Sequence, residues 1–241
     1  LFGALLFGPV TGVVAADRCS DLLKLVIPGG TIEKAQEVPA GPVRTPPGAP
    51  PSGATLPAHC RIDGVIGAHR GRDGKAYGIR FAVAMPAQWN GRLVYQGGGG
   101  LNGSVQLPLG AIAAGDTPAL ARGFAVVDSD SGHEGAVFDA SFMADQQAAL
   151  DFLYQSIGKV MVAARPIIAA HYGNAAAHSY FVGCSTGGRE AMIAAQRYPQ
   201  DFDGIVAGSP AMRTGYSNLA LRWITASLNA AAPRDGQGHA L

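Results

Sequence analysis

Between Ser179 and Glu190 the chain reads Ser-Tyr-Phe-Val-Gly-Cys-Ser-Thr-Gly-Gly-Arg-Glu, and three kinds of local structure meet inside those twelve residues. A short apolar run suited to a buried strand enters Gly-x-Ser-x-Gly, and a helical segment follows until Pro199 stops it. Strand, sharp turn and helix are the context in which this pentapeptide is a nucleophile elbow. The reason is steric: a serine at the end of a strand sits in a strained turn, and Gly183 and Gly187 leave room for backbone that passes close by. The Ser185 hydroxyl then projects above the sheet. The Thr186 N–H, at the start of the helix, points to where a carbonyl oxygen would become anionic, and the helix dipole favours charge there. A glycine-rich turn with an incidental serine would show the same pentapeptide; the flanks favour the elbow.

Gly183-Cys184-Ser185-Thr186-Gly187-Gly188-Arg189-Glu190, Arg197-Tyr198-Pro199 and Phe202-Asp203-Gly204-Ile205-Val206-Ala207-Gly208-Ser209-Pro210 together resemble the tannase and feruloyl esterase family of α/β-hydrolases. The resemblance runs from about Cys19 to about Pro233. It implies an α/β fold with a mostly parallel, doubly wound sheet, present as its N-terminal part, with the lid and C-terminal strands missing. It implies a serine esterase acting on esters of aromatic acids: feruloyl and related hydroxycinnamoyl, galloyl, or terephthaloyl monoesters. In the family the cysteine before the nucleophile is bridged to a cysteine that directly follows the catalytic histidine. The resemblance therefore places the partner of Cys184 outside this chain and pairs Cys19 with Cys60. It also places the family's calcium in the missing lid, so no metal or other cofactor is expected in this segment.

Residues 1–16 carry no charge and end in small residues, but they are too short and too broken by Gly and Pro to span a bilayer as a helix. They read as the remnant of a secretory signal cleaved after Ala16, which places the protein outside the cell or in the periplasm. In an oxidising compartment three cysteines make one pair and one orphan. Net charge is +1, without a basic stripe or acidic tail, so neither nucleic acid nor a membrane surface is expected as partner; the resemblance implies a small aromatic ester.

The remaining chain alternates strand and helix signals, the pattern of a sheet covered on both faces. Residues 19–24 suggest a short helix; residues 31–38 are ambiguous. Residues 39–58, crowded with Pro, Gly and Ala, read as an irregular connection. Residues 62–69 and 77–85 form a hairpin around Gly71-Arg72-Asp73-Gly74, and strands are expected at 92–96, 123–128 and 204–207. Residues 145–172 read as helix in two pieces, divided by Pro166. Four glycines, Gly97 to Gly100, follow the 92–96 strand. They do not fit a dinucleotide cradle, because no helix with that spacing and no acidic ribose ligand follow. They do fit the loop that gives an α/β-hydrolase its second oxyanion donor, and similarity makes Gly100 that donor, with Gly99 next. Residues 17–210 are thus the N-terminal part of the hydrolase domain, and 211–241, where the rhythm is lost, begin the inserted lid.

A serine nucleophile needs an imidazole and a carboxylate that orients it. His178 and His171 fall at the wrong end of the nucleophile strand, His239 lies near the last residue, and His69 belongs to a hairpin turn. His59 would serve only if Cys60 bridged Cys184, and it precedes the serine where the fold puts its histidine last. His133 falls on the correct edge of the sheet and is a candidate substrate contact. The catalytic Asp and His are expected outside this chain, which by itself is expected to be nearly inactive. A non-catalytic binding module, or an acyltransferase using the same serine, are the alternatives.

Overall fold

Alternating apolar residues in the first third of the chain, and continuous apolar runs in the rest, build two halves of one sheet. The structure, a computed structural model, describes residues 18–43, 54–110 and 117–239. The signal expected over residues 1–16 lies outside them. In chain order the elements are α1 (Arg18–Asp21), β1 (Gly30–Val38), β2 (Gly41–Pro42), β3 (Thr55–Leu56), β4 (His59–Arg70), β5 (Ala76–Pro86), β6 (Arg92–Gln96) and β7 (Ala125–Ser129). Then come α2 (Gln146–Leu150), α3 (Ser156–Tyr172), β8 (His178–Cys184), α4 (Thr186–Arg197), β9 (Gly204–Gly208) and α5 (Thr214–Ala231).

Seven strands form one sheet in the order β1-β4-β5-β7-β6-β8-β9, and β2 and β3 pair separately. The ambiguous residues 31–38 become β1, antiparallel to β4. β4 and β5 are the expected hairpin, closed where the Gly71 N–H meets the Lys75 carbonyl at 2.9 Å. From β7 onward the pairs are parallel. The half that carries the site is therefore the parallel half. β6 has β7 on one side and β8 on the other, so the chain reverses direction of travel across the sheet there. Ligands of open α/β sheets bind at such a switch point, beyond the carboxyl ends of the strands.

One face of the sheet is sealed by α3, whose Ile157, Val160, Met161, Ile167 and Ile168 are buried with Phe81, Leu93 and Phe181. Each such side chain contributes about 1.5–3 kcal/mol on burial. The helical stretch is divided, but not at Pro166. Pro166 lies inside α3, and the break is a π-helical turn, Asp151–Gln155. Val162, whose carbonyl loses its partner to Pro166, is exposed, so water can take the place of the missing donor. The π turn brings buried Asp151 to Lys159 Nζ at 2.5 Å and Gln147 Nε2 at 3.1 Å.

Cys19 and Cys60 are joined, fixing α1 to β4 with 5.6 Å between Cα atoms, and Cys184 is a free, exposed thiol. The last strand and helix are different in character. Val206 of β9 is half exposed, and α5 buries none of its residues, leaving Tyr216 and Trp223 more than 70% exposed. No helix among the described residues is long and apolar enough to cross a membrane.

Candidate active site

Ser185 sits between β8 and α4 at φ 58°, ψ −116°, a conformation that costs a non-glycine residue about 1–3 kcal/mol. Backbone hydrogen bonds hold it there. Its N–H donates to the Gly208 carbonyl at 3.1 Å, and its carbonyl accepts from the N–H groups of Arg189 and Ala211, both at 3.0 Å. The glycines around it are places where backbone lies on backbone. A Cβ at Gly187 would stand 2.7 Å from the Gly98 carbonyl oxygen and 2.8 Å from the Gly97 carbonyl carbon. One at Gly183 would overlap the Gly187 carbonyl, and one at Gly188 would overlap the Gly208 oxygen.

The loop after β6 is brought onto this turn. Gly97 N–H donates to the Val182 carbonyl at 2.9 Å, Gly187 N–H to the Gly98 carbonyl at 2.8 Å, and Leu101 N–H to Thr186 Oγ1 at 3.2 Å. The N–H groups of Gly100 and Thr186 have no hydrogen-bond partner among the described residues. Gly100 has φ +58°, and its carbonyl accepts from Phe138 N–H at 2.9 Å. Val137 and Phe138, both more than 70% exposed, form a lip beside it.

The sequence gives little sign of the residues that support this loop. Glu190, in the second turn of α4 and 3% exposed, accepts from Gly98 N–H at 2.9 Å, Asn102 Nδ2 at 2.6 Å and Ser131 Oγ at 2.7 Å. Asn102 Nδ2 also donates to Ser131 Oγ. An acidic residue on the same helix as the serine, facing a glycine run with an asparagine in it, was the available signal. Two buried aspartates complete the floor. Asp128 accepts from Gln106 N–H and Gln96 Nε2, each at 2.8 Å, and so orders the segment after the glycine loop. Asp130 accepts from the N–H groups of Arg80 at 3.0 Å and Gly132 at 2.8 Å. Burial pushes both carboxyls well above the usual carboxylate range.

No described imidazole bonds to Ser185. His178 and Asp203 meet at 3.5 Å at the opposite end of β8, His171 is in the last turn of α3, and His239 meets Asp235 at 3.2 Å. His69 pairs with Asp145 at 3.1 Å. His59 is on β4, four strands from β8 and therefore roughly 19 Å away. The Cys19–Cys60 bond removes the cross-link that would have brought it nearer.

His133 is at the expected edge of the sheet but does not reach its surface. It is 2% exposed, its ring stacked on Phe142 at 3.5 Å, and neither ring nitrogen has a hydrogen-bond partner among the described residues. The expected substrate contact is thus replaced by a wall position behind Gly103 and Gly135: the aromatic pair formed with Phe142 draws the ring inward. Burial lowers its pKa from 6.5 to about 4, against a weak opposite pull from Asp139. The folded protein therefore resists a proton that the unfolded chain takes up below about pH 6.5. Stability from this group is full above that pH and is lost as pH falls towards 4, by on the order of 3 kcal/mol over the window. In urea denaturation at pH 7 and pH 4.5, the wild type should lose about 2 kcal/mol more than His133→Phe, which keeps the ring stack. Equal losses in the two proteins would refute this.

Among the described residues one group of potential metal ligands comes together, Cys19, Glu37 and Cys60, and its sulfurs form the disulfide. It does not fit calcium, which takes oxygen ligands.

The model of the family "Tannase and feruloyl esterase" matches residues 60–237. The chain belongs to that family. Mono(2-hydroxyethyl) terephthalate hydrolase of Piscinibacter sakaiensis is 44% identical over 196 residues, covering 78% of this chain and 32% of that one. A probable feruloyl esterase B-2 of Aspergillus flavus is 39% identical over 130 residues, 54% of this chain and 24% of the relative. In three dimensions, the crystal structure of feruloyl esterase B from Aspergillus oryzae superposes with a TM-score of 0.66 at 30% identity, covering 80% of this chain and 37% of that one. The chain spans about a third of the length of the first curated relatives it matches. The elbow, the glycine loop and the parallel half-sheet of this tannase-family chain all lie within the matched residues.

Proposed function

We propose that this chain carries the nucleophile and oxyanion hole of an exported serine carboxylic ester hydrolase that acts on esters of aromatic acids. The observation that carries the reading is the Ser185 turn itself, strained at the tip of β8 with the Thr186 N–H after it and the Gly100 loop tied to Thr186 Oγ1. Ser185 Oγ attacks the ester carbonyl carbon while its proton passes to a histidine. The carbonyl oxygen, now anionic, is held by the N–H groups of Thr186 and Gly100. The tetrahedral intermediate expels the alcohol, which takes the proton, and water then releases the acid and restores Ser185. The histidine and its aspartate belong to polypeptide outside this segment, as does the cysteine that pairs with Cys184; residues 211–241 begin a lid over the site.

The names of the relatives, feruloyl esterase, tannase and mono(2-hydroxyethyl) terephthalate hydrolase, support the substrate classes we propose: hydroxycinnamoyl esters such as ferulates, galloyl esters and terephthaloyl monoesters. The Cys19–Cys60 bond suits a secreted or periplasmic protein. The test is to assay the full-length polypeptide and residues 17–241 alone on methyl ferulate, methyl gallate and mono(2-hydroxyethyl) terephthalate. The full-length form should release the free acid from at least one. The segment alone, although it holds the nucleophile, should be slower by about 10⁴-fold or more, as for a triad lacking its base. Comparable turnover by the folded segment would place the base inside it. Release of no acid by the full-length form, from any of the three, would remove the proposal.

A further inference from the structure

The glycine loop adopts a conformation that Leu101, in its middle, does not favour. Gly100, Leu101, Asn102 and Gly103 have φ values of 58°, 70°, 53° and 82°, four consecutive residues in the left-handed region, closed by Asn102 N–H on the Gly99 carbonyl at 2.7 Å. Leu101 and Asn102 carry a Cβ, which crowds the backbone in this region. Such a turn persists only where its surroundings over-determine it. Several bonds hold it: Leu101 N–H to Thr186 Oγ1, Gly103 N–H to the Asp130 carbonyl, Gly135 N–H to the Gly103 carbonyl, and Phe138 N–H to the Gly100 carbonyl. Each of these grips one point. Glu190 grips both sides of the Gly99–Gly100 peptide at once, through Gly98 N–H with Oε2 and Asn102 Nδ2 with Oε1. It does so from α4, about 7 Å along the helix axis from Ser185. Ser131 Oγ, from the segment after β7, fixes Oε1 from the third direction.

We propose that Glu190 is a positioning residue for ester hydrolysis: its two carboxyl oxygens clamp the left-handed Gly100–Gly103 turn to the nucleophile helix and so aim the Gly100 N–H at the oxyanion. Glu190 touches no substrate and acts through the loop. Gln at this position keeps the shape but has a single acceptor oxygen, so it can no longer accept from Gly98 N–H on one side and from Asn102 Nδ2 and Ser131 Oγ on the other at once. Losing the aim of one oxyanion donor has the scale of losing the donor, about 10²-fold in kcat. Substrate binding, made elsewhere in the cleft, is unaffected.

This inference rests on the esterase reading, and the experiment separates the two. In the full-length polypeptide, kcat and KM for methyl ferulate and the labelling rate with a fluorophosphonate probe are measured for wild type, Ser185→Ala, Glu190→Gln and Asn102→Gly, with melting curves to establish folding. Ser185→Ala should neither turn over nor label; if it does both, the esterase reading fails. Glu190→Gln should lower kcat and the maximal labelling rate about 10²-fold with KM within about threefold. Asn102→Gly removes one jaw of the clamp while tolerating positive φ, and should lose kcat in the same pattern, about 10-fold. A folded Glu190→Gln with kcat within twofold of wild type, or a loss seen only in KM, overturns the clamp. If Glu190→Gln does not fold, unchanged kcat in Asn102→Gly does so.

Discussion

Alanine at Ser185 is expected to cut ester turnover by the full-length polypeptide about 10⁵- to 10⁶-fold, the scale on which serine hydrolases lose their nucleophile. Nothing near the elbow can stand in for the lost oxygen. The adjacent Cys184 belongs to the strand, one residue away from the strained turn, and on the proposed reading its sulfur is bridged to another cysteine in the full-length polypeptide. What survives is the proposed oxyanion hole, which alone retains only a small part of the acceleration. The fold should be untouched, because alanine pays the same conformational cost as serine at φ 58° and the bonds that hold the turn are all made by backbone. The measurement is kcat beside a melting curve. A variant that melts like wild type yet keeps more than 1% of its turnover would mean that Ser185 is not the nucleophile.

Gly183→Ala should be nearly as damaging by a different route. Its methyl group would be driven into the Gly187 carbonyl, with the Gly187 Cα only 2.8 Å away. These are main-chain atoms of the first turn of α4, so no side chain can swing aside. Either the end of β8 or the start of the helix must move, and both carry the site. A shift of about 1 Å at the reacting atoms costs on the order of 10²-fold in rate, and overpacking of this kind about 1–3 kcal/mol of stability. Gly215→Ala is the matched control, since a Cβ there meets nothing within 4 Å. The expected result is that Gly183→Ala loses both activity and melting temperature while Gly215→Ala loses neither. Full activity in Gly183→Ala would show that the close approach is not maintained in solution.

The 62–85 hairpin, the later strands, the elbow and the pairing of cysteines were legible because each has a local or motif-borne signature: alternation around 62–85, Gly-x-Ser-x-Gly after an apolar run, and Cys19 and Cys60 in positions the family resemblance pairs; β1, ambiguous in sequence, and β2 and β3, inside the Pro- and Gly-rich stretch, were not. What escaped was set by tertiary surroundings. Pro166 is a helix breaker by its chemistry, yet the flank it occupies can solvate the orphaned carbonyl. His133 was placed on the right edge, but only its packing on Phe142 and Phe152 shows that it is interior. Glu190, Asn102 and Ser131 form one hydrogen-bonded group from segments up to 88 residues apart, and no local pattern joins them. Least legible was the left-handed run: Gly100 and Gly103 advertise it, but Leu101 does not.

The glycines that bring main chain against main chain around Ser185 have an evolutionary reading. Every missense change at Gly183, Gly187 or Gly188 adds at least a Cβ, and at each position that atom meets backbone. These sites therefore have no acceptable neighbour in sequence space, and drift cannot remodel the elbow by small steps. On the proposed esterase reading, a change of substrate preference has to pass around it, through surface stretches such as 136–141, whose side chains are exposed. On that reading the reaction is held constant by what has no side chain, and the choice of ester is left to what does.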